Sequence, residues 1–157
     1  MCSSDLLLNK AISDVNGINR LFMSDANSGS HSLFQTFVTL RNHTTSPSLE
    51  SELVTLDTFW EESGCPSIDF IKMDIEGAEP RALKGAQQLL RHNKKLTLIT
   101  EFCPANLRAG GMEPEEFLEL LSGFGFRWAA IGKGGELLPE MPKLEGGQYV
   151  NLCCEKS

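Results

Sequence analysis

Residues 71–79 read IKMDIEGAE, and this stretch decides how the 157-residue chain is interpreted. It overlaps the end of a nearly continuous apolar run, residues 67–74, which is typical of a strand covered on both faces. After Gly77 the apolar residues recur at helical spacing, and Pro80 suits a first helical turn. The stretch therefore predicts a buried strand followed by one helix, which ends among the basic residues 91–95.

Alternating strands and helices are predicted on both sides of this stretch. Strands or short extended pieces are predicted for residues 6–12, 18–23, 33–40, 54–56, 67–74, 96–100, 126–131 and 149–154. Further helices are predicted for residues 56–62 and from Glu113-Pro114 onward. The last two strands are joined without a helix, so we expect them to pair antiparallel. The predicted fold class is α/β, with a mostly parallel sheet and an antiparallel C-terminal strand.

The composition indicates one acidic domain over residues 1–157. A hydrophobic content of 41% fits a single core, and a net charge of −7 argues against a broad nucleic-acid surface. Leu6-Leu7-Leu8 is far shorter than the roughly 20 apolar residues of a membrane helix. The five cysteines are an odd number and are widely spaced except for the adjacent pair Cys153 and Cys154, so they do not indicate a disulfide framework. We therefore expect a reducing, cytoplasmic location. The scattered histidines give no zinc-site spacing.

Two carboxylates fall where predicted strands end, namely Asp74 and Glu101. In an open α/β sheet the ligand crevice lies outside the carboxyl ends of the strands. If the two strands are parallel neighbours, both side chains line one edge of the sheet. A carboxylate there can accept a hydrogen bond from a hydroxyl or an ammonium group, or take a proton if burial raises its pKa.

Lys72 lies two residues before Asp74 and shares its face of an ideal strand. A buried ammonium group needs a partner, which Asp74, Glu76 or Glu101 could supply. One alternative is an ion-pair network without function, in which Glu79 only caps the helix. Another makes Asp74 and Glu76 ligands of a magnesium ion, because carboxylates suit hard cations.

The run at residues 67–79, followed by ALKGA at residues 82–86, closely resembles the signature of FkbM-type S-adenosylmethionine-dependent methyltransferases. Shorter similarities extend over most of the chain: AISD at residues 11–14, NSG at residues 27–29, VTLD at residues 54–57, and Glu101. The resemblance implies a Rossmann-like class I methyltransferase fold. It also implies transfer of a methyl group from S-adenosyl-L-methionine to a hydroxyl of a sugar or natural product.

The same resemblance implies roles for individual residues. Asp74 would position or deprotonate the acceptor, with Glu76, Glu101 and Lys72 assisting, and the acceptor would be a small molecule or a glycan. Ala11, Ile12 and Ser13 would border the adenine ring of the cofactor, and Asp74 could also bind the cofactor.

In the family it resembles, a glycine-rich loop after the first strand holds the cofactor, and an acidic residue after the second strand binds the ribose. By this resemblance the sequence begins after both, which predicts a partial domain, incomplete at its N-terminus, with unpaired strand edges. A homo-oligomer or another chain could complete it. The competing hypothesis is a non-catalytic α/β remnant, or an interaction module, that has lost cofactor binding.

Overall fold

Two mixed β-sheets form the framework of the computed structural model, which describes residues 6–24, 30–35 and 47–156. The first sheet has the strand order β1-β3-β2, with β1 parallel and β2 antiparallel to β3. Its strands are β1 (Ala11–Ile12), β2 (Gly17–Phe22) and β3 (Ser48–Val54). This sheet places the N-terminal part of the described chain beside the end of the second sheet.

The second sheet has the strand order β4-β5-β7-β6. Its strands are β4 (Phe70–Met73), β5 (Thr97–Phe102), β6 (Arg127–Ile131) and β7 (Val150–Glu155). Strands β4, β5 and β6 run in the same direction, but among these four strands only β4 and β5 form a parallel pair, because β7 inserts antiparallel between β5 and β6. The α/β class and the antiparallel pairing of the last two strands are confirmed. The expected dominance of parallel pairs is not confirmed, since both described sheets are mixed.

The described helices all lie between β3 and β6 in the sequence. They are α1 (Leu56–Glu62), α2 (Glu79–Lys84), α3 (Gln87–His92), α4 (Pro104–Ala109) and α5 (Pro114–Gly123). Helices α1 and α5 are confirmed where they were expected. Helix α4 was not predicted, because a proline after a strand indicates that the strand ends, whereas Pro104 also occupies the first turn of a helix.

The prediction of a single helix after Pro80 is wrong. The helix is interrupted at residues 85 and 86, which separate the two short helices α2 and α3. A Cβ atom on Gly85 would collide with the carbonyl oxygen of Ser13, so the backbones approach each other closely here. The Asp57 carboxylate then accepts hydrogen bonds from the backbone N–H groups of Gln88 and Leu89, at 3.0 and 2.9 Å. These bonds satisfy donors at the start of α3, so a new helix begins there.

Two other predicted strands differ from the structure. Of the strand predicted at residues 6–12, only Ala11 and Ile12 pair with a neighbour. In the strand predicted at residues 33–40, Leu33 and Phe34 are not in a strand, and residues 36–40 lie outside the described part of the chain. The NSG similarity at residues 27–29 also lies outside it.

The hydrophobic core lies on one face of the second sheet. Alternate residues of β5, including Leu98 and Phe102, are buried there against Leu83 and Phe117 from the helices. The positions between them, among them Glu101, are only partly buried. Glu101 therefore lies on the less covered face of the sheet, where a polar side chain can reach a ligand.

Strand β4 is more exposed than its apolar sequence predicts. Phe70 is 58% exposed and the Lys72 side chain is 59% exposed, so the prediction that both faces are covered is wrong for these positions. Phe70 and Lys72 pair with Thr97 and Ile99, so they lie on the same, less covered face of the sheet as Glu101. Among the described strands β4 also pairs only with β5 and is the edge of the sheet. Within the described ranges, no helix is long and apolar enough to cross a membrane.

Candidate active site at the carboxyl ends of the second sheet

A tight turn after β4 positions the first acidic side chains of the site. Asp74 follows the strand directly, and the backbone then adopts positive φ at Glu76, +53°, and at Gly77, +91°. A Cβ atom on Gly77 would lie 2.6 Å from the backbone carbonyl oxygen of Asn106 at the start of α4. Glycine is therefore required at residue 77 both by the backbone conformation and by the close approach of α4.

Lys72 and Asp74 form an ion pair at the end of β4. The Lys72 Nζ atom lies 3.0 Å from Asp74 Oδ2, and their side chains are 59% and 50% exposed. The predicted contact between these residues is confirmed, and Asp74 is the partner of Lys72. The proposed reason for the contact was wrong, because the lysine is not buried. Exposed pairs of this kind contribute little to stability, so the pair mainly balances charge locally.

A buried amide group joins two further carboxylates. Asn106 is 3% exposed, and its Nδ2 atom donates to Glu76 Oε2 at 3.0 Å and to Glu101 Oε2 at 3.1 Å. Burial and, after it, the negative charges of Glu76, Glu79 and Asp74 together raise the pKa of Glu101 to about 7, although the hydrogen bond from Asn106 lowers it. Glu101 can therefore exchange a proton near neutral pH.

Glu79 holds the turn after β4 in place through a hydrogen bond to its backbone. Its side chain is almost fully buried, and Oε1 accepts a hydrogen bond from the Ile75 backbone N–H at 2.9 Å. Burial raises the pKa of Glu79 to about 7, although backbone N–H groups, that of Ile75 first among them, lower it, and the charge of Asp74 raises it. Glu79 was expected only to cap a helix, but it also fixes the turn that carries Asp74 and Glu76.

The raised pKa of Glu79 predicts how stability changes with pH. Between the ordinary value of 4.5 and about 7, the folded protein binds more protons at this group than the unfolded chain. The stabilisation is complete below pH 4.5 and is lost as the pH rises to about 7, by up to about 1.4 kcal/mol per pH unit. Glu79→Gln is expected to remove this slope from the free energy of unfolding, measured by urea denaturation at several pH values.

The matched control is Glu119→Gln on the exposed face of α5, which should leave the slope as it is in the unchanged protein. Glu101 is more open to solvent than Glu79, so its smaller contribution remains in both variants. A slope unchanged in Glu79→Gln would show that the buried carboxyl does not titrate between these pH values.

A cavity of about 280 Å³ opens between the two sheets beside this turn. Four of the predicted site residues line it, namely Ala11, Ile12, Asp74 and Glu76. Ser32 also lines it, and its Oγ atom donates to the backbone carbonyl of Glu76 at 2.9 Å, which fixes the position of the turn. The wall from β1 is apolar and the wall from the turn is acidic, so the cavity suits a ligand with both characters.

Three predicted site residues lie outside this cavity. Ser13 is fully buried and does not line the cavity, and its backbone N–H donates to the Val54 carbonyl at 3.1 Å. Lys72 does not line the cavity but pairs with Asp74 outside it. Glu101 is connected to the cavity through Asn106 and Glu76.

Asn106 and Glu79 were missed as site residues. The sequence does contain a signal for Asn106, since it is a polar residue two positions after Pro104, where a strand that ends in an acidic residue turns away. An amide so close to a strand-end carboxylate is a reasonable candidate for a contact with it.

A second cavity of about 940 Å³ lies along the same edge of the sheet. Its walls come from the loop between β6 and β7, and Asn151 and Ile131 line its floor. Glu101, Asn151 and Ile131 are register partners on adjacent strands, so their side chains share one face of the sheet. Glu101 is thus linked to the first cavity through Asn106 and Glu76, and its register partner Asn151 lines the second cavity.

Over residues 6–24, 30–35 and 47–156, no group of three or more His, Cys, Asp or Glu side chains is arranged to hold a metal ion. Asp74 instead pairs with Lys72, and Glu76 accepts a hydrogen bond from Asn106.

Comparison with known proteins supports a specific family. The family model described as "Methyltransferase FkbM domain" matches residues 8–128, which is well over half of the chain. No curated protein and no solved structure matches the chain. The matched region contains β1, the turn after β4, Glu101 and Asn106, so it includes both the first cavity and the joined carboxylates.

Proposed function

The chain belongs to the FkbM methyltransferase domain family, and on this premise we propose that it transfers a methyl group from S-adenosyl-L-methionine to a hydroxyl oxygen. The observation that carries the proposal is the group of carboxylates at one sheet edge, Asp74, Glu76 and Glu101. Asp74 and Glu76 line one cavity, and Asn151, the register partner of Glu101, lines a second. The proposal includes a Rossmann-like class I arrangement of the sheet, which the order β4-β5-β7-β6 and the antiparallel β7 support.

The smaller cavity fits one end of the cofactor. Ala11, Ile12 and Leu33 give it an apolar wall against which an adenine ring can pack, and Asp74 offers a carboxylate to a hydroxyl or ammonium group. A volume of about 280 Å³ is near the lower limit of ligand pockets, so these residues would hold part of the molecule. When bound, S-adenosyl-L-methionine supplies an electrophilic methyl group on a sulfonium.

In this mechanism Glu101 is the base. Its pKa of about 7 lets the carboxylate take the proton of an acceptor hydroxyl as the oxygen becomes nucleophilic. Asp74 is half-exposed and paired with Lys72, which suits a positioning role, with the lysine balancing its charge. The chain contributes mainly by aligning the acceptor oxygen. The rate of methyl transfer therefore depends on where the carboxylates of Glu76 and Glu101 are held.

The larger cavity is the proposed acceptor site. Asn151, which lines this cavity, is the register partner of Glu101. Polar side chains such as Gln148 and Tyr149 lie among apolar ones along the walls. This mixture suits the hydroxyl of a small molecule or a glycan. We also propose that the edge of β4 that pairs with no described strand pairs with a strand in the active assembly, either in a homo-oligomer or from another chain. A cytoplasmic location agrees with the exposed free thiol of Cys65.

Calorimetric titration with S-adenosylmethionine and with S-adenosylhomocysteine tests the proposal. We expect both to bind, and we expect Asp74→Asn to weaken binding about tenfold or more, because it removes the charge from a hydrogen-bond acceptor. Asp69→Asn is the matched control, since Asp69 is an exposed carboxylate before β4 and lies outside the cavity.

The alternative function is a non-catalytic interaction module, and the same titration separates the two. A well-folded protein that binds neither S-adenosylmethionine nor S-adenosylhomocysteine would overturn the methyltransferase proposal for this chain. If Asp74→Asn binds S-adenosylmethionine as tightly as the unchanged protein, the role of Asp74 is overturned, but the proposal of methyl transfer is not.

A further inference from the structure

One buried amide group occupies the centre of the acidic site. The two hydrogen bonds from Asn106 Nδ2, at 3.0 Å to Glu76 and 3.1 Å to Glu101, fit the two N–H groups of a single amide nitrogen. Glu76 comes from the turn after β4 and Glu101 from β5, so the amide joins two different elements. With 3% exposure, Asn106 is shielded from water that could replace it.

The position of this amide is fixed from several sides. The backbone of Asn106 lies so close to Gly77 that a methyl group there would collide with its carbonyl oxygen. Gly110, at the end of α4, approaches the turn equally closely, because a Cβ atom on it would lie 2.6 Å from the carbonyl oxygen of Gly77. Both ends of α4 therefore contact the turn, and the helix cannot shift without moving it.

The charges around Glu101 are mostly negative. The groups that face it are Asp74 and Glu76 from the turn and Glu79 from α2, with Lys72 on β4 bonded to Asp74 and the neutral Asn151 opposite on β7. Each carboxylate disfavours ionisation of Glu101, whereas a donated hydrogen bond favours it. The amide of Asn106 thus opposes the surrounding charge.

We infer that Asn106 is a positioning residue, which holds Glu76 and Glu101 together and favours the ionised form of Glu101 that accepts a proton. The inference rests on the proposed function for its catalytic meaning. Its structural part, that the amide favours ionisation of Glu101, stands on the hydrogen bonds and the burial alone.

Titration of the Glu101 carboxyl group by NMR tests this inference in protein labelled with ¹³C at the glutamate side-chain carboxyl. The Glu101 signal is assigned by its loss in Glu101→Gln. Asn106→Ala removes both donors, so the pKa of Glu101 should rise by about one pH unit or more. Asn106→Asp keeps the size of the side chain, adds a negative charge and should raise the pKa further.

Asn93→Ala is the matched control. Asn93 is a buried asparagine whose side chain accepts from Ile68 N–H at 2.8 Å and donates to the Leu89 carbonyl at 2.9 Å, far from the acidic site. Its loss should destabilise the fold and leave the pKa of Glu101 within about 0.3 units. An equal pKa shift in Asn93→Ala and Asn106→Ala would mean that general loosening is responsible, which would overturn the inference.

The unchanged protein provides a second measurement that does not depend on the folding of any variant. The side-chain ¹H–¹⁵N signals of Asn106 should shift with pH along the titration curve of Glu101, because they share a hydrogen bond. Signals that do not respond, or a folded Asn106→Ala with an unchanged Glu101 pKa, would overturn the inference. None of these measurements needs cofactor or acceptor, so their outcome is independent of whether the chain transfers methyl groups.

Discussion

Gly77→Ala is expected to lower the free energy of unfolding by about 3 kcal/mol or more, measured by urea denaturation. Residue 77 has φ of +91°, where a side chain costs roughly 1 to 3 kcal/mol. The added methyl group would also lie 2.6 Å from the carbonyl oxygen of Asn106, which is backbone and cannot rotate away. Relief of this contact requires α4 to move away from the turn, which would lengthen the hydrogen bond between Asn106 and Glu76.

Gly111→Ala separates these two causes. Gly111 has nearly the same backbone angle, φ of +86°, but a Cβ atom there would meet no atom within 4 Å. This variant should lose only about 1 kcal/mol, the cost of the backbone conformation. If both variants lose the same free energy, the close approach of α4 to the turn is not a tight contact.

The central part of the site was predictable from the sequence. The apolar run before Asp74 and the short run before Glu101 predicted two strands, and the rule for parallel strands placed both carboxylates at one edge. The structure confirms that β4 and β5 are parallel neighbours, so the ends of these two strands lie at one edge of the sheet. Such predictions succeed because they depend on local periodicity and on a single geometric rule.

Tertiary contacts account for what was missed. The amide of Asn106 reaches Glu76, which is 30 residues earlier in the chain, and no local pattern encodes that pairing. The break between α2 and α3 likewise depends on contacts with Ser13 and Asp57 from distant segments. A spacing pattern describes one element at a time, so it cannot show where another element supplies a cap or a donor.

The exposure of β4 was mispredicted for a related reason. An apolar strand sequence indicates that a face can be covered, but it does not identify the element that covers it. In the described part of the chain Phe70 and Lys72 lie on the less covered face of the edge strand β4, so they remain exposed. The same apolar edge is what makes pairing with a further strand chemically reasonable.

Glu101→Gln is expected to slow methyl transfer by about 10²-fold or more, because it removes the base and leaves a side chain of the same shape. The pKa of Glu101 is about 7, so the rate in the unchanged protein should rise as the pH passes through about 7 and then level off. Formation of S-adenosylhomocysteine, with the most active acceptor from a panel of monosaccharides and small hydroxyl compounds, measures both effects. Affinity for S-adenosylmethionine should change less than about twofold, since Glu101 lies outside the smaller cavity.

Glu155→Gln is the control, since Glu155 is an exposed carboxylate on the same face of the second sheet, at the opposite end from Glu101. Its rate and its pH profile should match those of the unchanged protein. A Glu101→Gln variant that keeps the full rate and the rise near pH 7 would assign the proton to another group. Asp74 would then be the first residue to test, because it lines the cofactor-side cavity at the same sheet edge and can reach the acceptor from the other side.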